Sequence, residues 1–148
     1  MGLEKYKKIR DFEKTSEPAG GVGSGDEALF VVQKHDASSL HYDLRLSFDG
    51  VLKSWAVPKE PPTKTGVKRL AIMTEDHPLT YATFEGTIPK GQYGGGTVEI
   101  YDSGTFELEE REDKKIVFVL KGRKLSGKYV LLKFQKAGDN GWLFFKAD

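Results

Sequence analysis

Cysteine is absent from the chain, which excludes a disulfide framework, a thiolate metal site and a thiol nucleophile together. Any metal must therefore be held by His, Asp, Glu or carbonyl groups. Long apolar runs are missing too: none approaches the roughly 18 residues that a membrane span needs. The N-terminal Met1-Gly-Leu-Glu-Lys-Tyr-Lys-Lys has no apolar stretch behind its charges, unlike a secretory signal. The expectation is a cytoplasmic protein with no membrane partner. Nor is there an excess of either charge. With 23 basic against 22 acidic residues the net charge is +1, so a nucleic-acid partner would have to be gripped locally rather than wrapped through many phosphates.

Helical periodicity is scarce as well. Short runs rich in β-branched and aromatic residues recur instead, each bounded by turn chemistry. They are Leu29 to Gln33, Leu40 to Phe48, Val51 to Val57, Leu70 to Thr74, Thr97 to Tyr101, Thr105 to Leu108, Ile116 to Leu120, Tyr129 to Phe134 and Trp142 to Phe145. Asp49-Gly50, Ser103-Gly104 and Asn140-Gly141 supply residues that tolerate positive φ, which predicts hairpins. Many short strands with little helix predict an all-β fold, a compact antiparallel β-barrel or sandwich closed or nearly closed to hide its edges. At 148 residues the chain fits one domain that buries roughly two-thirds of its unfolded surface. Residues 1–27 mix charge with Pro18, Gly20, Gly21, Gly23 and Gly25, the composition of a flexible N-terminal arm and connector. The compact domain is expected over 28–148.

The chemistry concentrates in Val32-Gln-Lys-His-Asp-Ala-Ser-Ser-Leu-His-Tyr-Asp-Leu-Arg-Leu46. Side chains alternate across a strand, so His41, Asp43 and Arg45 share one face while Leu40, Tyr42, Leu44 and Leu46 share the other. A half-buried strand with an incidental polar face is the commoner source of such a pattern. Here, however, all three histidines of the chain, His35, His41 and His77, fall in one window. Two imidazoles and one carboxylate suffice to hold a divalent transition metal with positions left open, and His35, His41 and Asp43 fit that role. Arg45 could set its planar fork against phosphate oxygens beside the metal.

A second cluster, Glu75-Asp-His-Pro-Leu-Thr-Tyr81, could present His77 and Tyr81 from one loop, with a solvated loop as the plain alternative. The Gly-rich run from Gly86 to Thr97 lacks Gly-Lys-Ser/Thr, so it reads as a wide turn rather than a nucleotide-binding loop. Trp55 and Trp142 could stack on bases, but core packing is the expected role. Lys59, Lys68 and Arg69 could form a local basic patch. The pairs Glu109-Glu110 and Lys114-Lys115 read as solvated hairpin charges.

Taken together, Phe30-Val-Val-Gln-Lys-His-Asp-Ala-Ser-Ser-Leu-His-Tyr-Asp-Leu-Arg-Leu, Leu52-Lys-Ser-Trp-Ala-Val-Pro-Lys, Glu75-Asp-His-Pro-Leu-Thr-Tyr and Phe84-Glu-Gly-Thr-Ile-Pro-Lys-Gly-Gln-Tyr-Gly resemble the 3′-phosphoesterase module of bacterial ligase D. The likeness runs in order from about Arg10 to the segment at Trp142. It implies a β-barrel enzyme of DNA end joining that removes a 3′-terminal ribonucleoside and then the remaining 3′-phosphate, usually with manganese. Cobalt or zinc are the other divalent candidates. The resemblance makes His35, His41 and Asp43 the metal ligands, and Arg45, His77 and Tyr81 the phosphate-contacting group. Gln33, Lys59, Arg69 and Glu75 resemble supporting positions. Arg10, Asp11 and Glu17 resemble an arm that serves the ribonucleoside-removing step.

The implied substrates are 3′ ends of DNA or of RNA–DNA primers. No polymerase or ligase domain lies within the 148 residues, so the expectation is a stand-alone, monomeric protein working with a separate DNA ligase or other end-joining proteins. Two rivals stand beside this reading. One is a non-haem iron oxygenase built on His41, Asp43 and His77. The other is a non-catalytic module that binds nucleic-acid ends.

Overall fold

The computed structural model describes residues 3–10, 12, 17 and 28–148. Nine strands form one antiparallel sheet: β1 (Leu29–Asp36), β2 (Leu40–Phe48), β3 (Val51–Val57), β4 (Lys68–Pro78), β5 (Gly86–Ile88), β6 (Gly96–Glu112), β7 (Lys115–Lys121), β8 (Ser126–Lys133) and β9 (Gly141–Lys146). Their order is β1-β2-β3-β4-β9-β8-β7-β6-β5, with a further β1–β6 pairing. That pairing closes eight strands into a barrel and leaves β5 as a short flap on β6. The predicted antiparallel barrel is therefore present. Closure removes the two edges that an open sheet would expose.

The sequence also predicts nine strands, but the two sets differ. Thr97–Tyr101 and Thr105–Leu108 are one continuous strand, β6, and β5 was not predicted. Ser103-Gly104 is consequently no hairpin turn. Gly104 lies in mid-strand opposite Phe30, where an added Cβ would collide with the Lys121 carbonyl and crowd the Phe30 ring. Close backbone approach, not positive φ, explains that glycine. Asn140-Gly141 likewise ends a longer connection containing a 3₁₀ turn at Gln135–Ala137, and the positive φ of 97° belongs to Gly138. Asp49-Gly50 is as predicted: both residues have positive φ, 55° and 80°, and they join β2 to β3. The pairs Glu109-Glu110 and Lys114-Lys115 flank the β6–β7 turn, as expected of exposed hairpin charges.

Alternation fills the barrel. Phe30 and Val32 of β1 and Leu44, Leu46 and Phe48 of β2 join Trp55, Phe106, Phe118, Tyr129, Phe144 and others in one buried cluster. Complete burial of a side chain such as Leu44 or Leu46 contributes about 1.5–3 kcal/mol. Trp55 and Trp142 meet edge-on inside this cluster, 5.9 Å between centroids, which makes both core residues and removes them as base-stacking platforms.

A second apolar cluster lies apart from the first. It joins Leu52 of β3 and Val98 of β6 to Tyr81 and Phe84 of the β4–β5 excursion and to Leu3 and Tyr6 of a short helix, α1 (Glu4–Lys8). Tyr6 is fully buried and Arg10 nearly so, a docking that charge and glycine content do not foretell. Pro18, the four glycines up to Gly25 and Asp11 lie outside the described residues. Among the described residues no helix is long and apolar enough to cross a membrane.

Candidate metal and phosphate site

The polar faces of β1 and β2 form the floor. Antiparallel register sets His35 opposite His41, Gln33 opposite Asp43 and Val31 opposite Arg45. Because Leu44 and Leu46 point into the barrel, these polar side chains point away from its interior, under the excursion that follows β4. A cavity of about 340 Å³ opens there, lined by His35, His41, Asp43, Arg45, His77 and Tyr81 among others.

His35, His41 and Asp43 bring three potential ligand atoms within 4.8 Å of one another. Asp43 Oδ2 lies 3.5 Å from His35 Nδ1, and Oδ1 lies 3.2 Å from His41 Nε2. The remaining nitrogen of each ring faces a backbone carbonyl: His35 Nε2–H donates to Gly94 O at 2.6 Å, and His41 Nδ1–H donates to Ser39 O at 3.2 Å. Those bonds fix the tautomers so that each imidazole turns a lone pair toward the carboxylate, the arrangement that metal-binding histidines use. The donor set thus fits a divalent transition metal.

The electrostatics hold Asp43 ionised, as a metal ligand must be. Burial pushes the Asp43 carboxyl up, but Arg45 and the two histidines outweigh it and hold the group well below the usual carboxylate range. The same carboxylate raises His41, chiefly through the hydrogen bond that the protonated ring gives it and against the ring's own desolvation, so that a proton and a metal compete for Nε2.

A family model for the DNA Ligase D 3′-phosphoesterase domain matches residues 33–133. The chain is 50% identical over 137 residues to the multifunctional non-homologous end joining DNA repair protein LigD of Mycobacterium tuberculosis, covering 88% of this chain and 18% of that protein. It is 47% identical over 154 aligned residues to LigD of Pseudomonas aeruginosa, covering 98% of this chain and 18% of that protein. The chain belongs to the DNA ligase D 3′-phosphoesterase domain family. It spans about a fifth of the length of the relatives it matches.

Beyond the three potential ligands, this phosphoesterase-family cavity holds Arg45 in a fixed cradle. Its Nε donates to Gln33 Oε1 at 2.6 Å, and its Nη2 lies 3.5 Å from Asp43. The Tyr81 ring sits 4.8 Å from the guanidinium. Gln33 is itself held by the carbonyls of Tyr81 and Phe84, at 2.8 and 3.1 Å.

His77 reaches the same cavity through a bulge. Leu52 pairs with His77 and Ser54 with Thr74, so Glu75 and Asp76 together oppose Lys53. The extra residue splits their directions: Asp76 bonds Lys53 at 2.9 Å, whereas Glu75 turns to Arg10 and Tyr93. His77 Nδ1 lies 2.9 Å from the Glu75 carbonyl and 3.2 Å from Arg45 Nη1, while Nε2 lies 3.2 Å from Arg10 Nη2. The tautomer that serves both the carbonyl and Arg10 carries its proton on Nδ1, which leaves Arg45 Nη1 without an acceptor on the ring. Burial, then Arg45 and Arg10, hold the His77 pKa well below its ordinary 6.5.

The arm reaches the cavity from the other side. Arg10 binds Glu17 at 2.9 Å and Glu75 at 3.1 Å, and Glu17 accepts from the Tyr81 hydroxyl at 2.6 Å. Gln33, Glu75, Arg10 and Glu17 therefore gather with the six residues named first. Lys59 and Arg69 do not: they line a separate pocket with Lys68 and Leu70, and Arg69 Nε donates to the Glu60 carbonyl.

Three participants escaped the sequence reading. Ser54 lies 3.3 Å from His77 Nδ1, Gly94 offers its carbonyl to His35, and Tyr93 bonds Glu75. The Gly-rich run held the signal for the last two, because Gly94 has φ 74°, a conformation that favours glycine, and lies against the His35 ring.

Proposed function

We propose that this chain is a metal-dependent phosphoesterase of DNA 3′ ends. It removes a 3′-terminal ribonucleoside and then the 3′-phosphate, leaving a hydroxyl for a ligase in end joining. The observation that carries this reading is the pair of imidazole nitrogens 3.5 and 3.2 Å from one buried carboxylate, with a clamped arginine on the same face. Membership in the phosphoesterase family supports it, as does the end-joining role in the relatives' names.

His35, His41 and Asp43 would hold the ion, which manganese fits and for which cobalt or zinc are alternatives. Once bound, such an ion polarises a phosphoryl oxygen and lowers the pKa of water. Arg45 directs its uncommitted Nη1–H at a phosphate oxygen. Its other contacts, to Gln33 and Asp43, keep the guanidinium from reorganising as charge develops. Tyr81, whose hydroxyl burial pushes up in pKa, stays a donor and exchanges Glu17 for the substrate.

His77 gives a proton to the departing oxygen. Between two guanidinium groups the free ring is neutral, and an anionic phosphate arriving beside them, a diester monoanion or a monoester dianion, offsets the charges that depress it. The ring therefore takes up its proton together with the substrate. The iron-oxygenase alternative would need His77 as a ligand. Among the described residues, however, the ligating atoms that cluster are those of His35, His41 and Asp43.

The test is incubation of labelled primers ending in ribose, phosphate or hydroxyl, with and without manganese. Conversion of the first two to a hydroxyl end, abolished by a chelator, is the expected result. Binding of ends without turnover under any divalent metal would make the protein an end-binding module instead.

A further inference from the structure

With both tryptophans in the core, the sequence leaves no obvious surface on which a base could stack. The structure supplies one. Tyr93 is 50% exposed, and it is the only aromatic among the exposed large apolar residues of the described chain. It lines the same cavity as His35, Asp43, Arg45 and His77. The loop that carries it is pinned at both ends. Gln92 N–H bonds the Pro89 carbonyl, Gly95 N–H bonds the Gln92 carbonyl, and the Gly94 carbonyl holds His35. Gly96, at φ 141°, lies so close to the Asp36 carbonyl that no side chain fits there. The ring is therefore held at a set distance from the three potential ligands rather than carried on a loose turn. Its hydroxyl leans on Glu75 at 3.4 Å and Arg10 approaches its ring to 5.4 Å, while half of its surface remains open to solvent.

We propose that Tyr93 is the platform on which the terminal base of the substrate strand stacks, so that it sets preference among 3′ ends. An exposed aromatic ring beside a phosphate-binding cleft is the element that single-stranded nucleic-acid sites use to hold bases without reading their sequence. A near-neutral protein has little general hold on phosphates, so stacking on the last nucleoside gives it a grip on the end itself. The inference rests on the proposed action at nucleic-acid 3′ ends.

The experiment compares KM for a primer ending in a riboadenosine with KM for the same primer ending in an abasic ribose. It uses the wild type, Tyr93→Phe and Tyr93→Leu, all loaded with manganese. The base should lower KM by about tenfold in the wild type. Tyr93→Phe should keep that ratio, and Tyr93→Leu should bring it near one. In parallel, a primer ending in 2-aminopurine is titrated into each protein without metal. Its fluorescence should be quenched by the wild type and Tyr93→Phe but not by Tyr93→Leu.

The proposal is overturned if Tyr93→Leu keeps the advantage of the base. It is also overturned if Tyr93→Phe loses the ratio as Tyr93→Leu does, which would mean that the hydroxyl acts through Glu75 and Arg10. If the wild type turns over no end at all, the phosphoesterase reading fails, and the quenching series alone then upholds or overturns the platform.

Discussion

Gln33 is the residue through which the β4–β5 excursion grips the arginine, and replacing it by Met, similar in length but without the amide, isolates that connection. The side chain is fully buried and makes three hydrogen bonds: to the carbonyls of Tyr81 and Phe84, and from Arg45 Nε. Their losses are unequal. The Tyr81 carbonyl keeps a partner, because Phe84 N–H also bonds it at 3.0 Å. The Phe84 carbonyl and the charged Arg45 Nε are left without theirs. One neutral and one charged buried group, at about 1–3 kcal/mol for the first and somewhat more for the second, give an expected destabilisation of about 3 kcal/mol. Urea unfolding of Gln33→Met should show this as a lower midpoint with unchanged slope. Turnover should fall even where the variant is fully folded, since Arg45 loses one of the contacts that aim it. If Gln33 acts on catalysis only through Arg45, then Gln33→Met combined with Arg45→Ala should be no slower than Arg45→Ala alone. Wild-type stability would refute the hydrogen-bond accounting, and additive rate losses would refute the route through Arg45.

Metal titration should separate the two halves of the cavity: His41→Ala and Asp43→Ala should lose manganese binding by calorimetry while retaining the fold, whereas His77→Ala should retain the metal and lose about a hundredfold or more in turnover. The pH dependence of stability should reveal the buried neutral histidine. The folded His77 pKa lies below 6.5, so below pH 6.5 the unfolded chain takes a proton that the folded ring refuses, and stability drops as pH falls from there. His41, raised by Asp43, acts in the opposite sense: its contribution is present at low pH and lost as pH rises through its folded value. Metal-free His77→Asn should therefore show a shallower loss of stability between pH 6.5 and 5 than the wild type; an unchanged slope would mean that the ring titrates alike in the folded and unfolded chain, and a steeper one that it is protonated in the folded protein.

What could be read from the sequence followed local spacing. The alternation from Leu40 to Phe48 separates Asp43 and Arg45 from Leu44 and Leu46, and the short turn after Asp36 returns the chain so that His41 faces His35. Asp49-Gly50 was readable for the same reason, because its conformation depends on two adjacent residues. Gly104 was misread because a glycine forced by the Lys121 carbonyl of a neighbouring strand looks the same as one forced by positive φ. Lys59 and Arg69 matched the family's motifs by position, yet neither lines the cavity.

Sequence separation hid the rest, and the charge state of His77 shows how much depended on it. A histidine beside Glu75 and Asp76 in sequence would be expected to gain a proton from its acidic neighbours. The bulge in β4 undoes that inference by sending Asp76 to Lys53. Glu75, for its part, is drawn into a bond with Arg10, 65 residues away. Arg45, 32 residues away, closes on the other ring nitrogen. The ring is left against two guanidinium groups, with the Glu75 carboxylate 3.9 Å away but already paired with Arg10, and desolvation and cationic repulsion together outweigh the groups that favour its proton. Each contact is an ordinary ion pair or hydrogen bond. What decides the outcome is that the arm, β2 and β4 converge on one imidazole, so under the proposed mechanism its protonation should rise when an anion binds between Arg10 and Arg45.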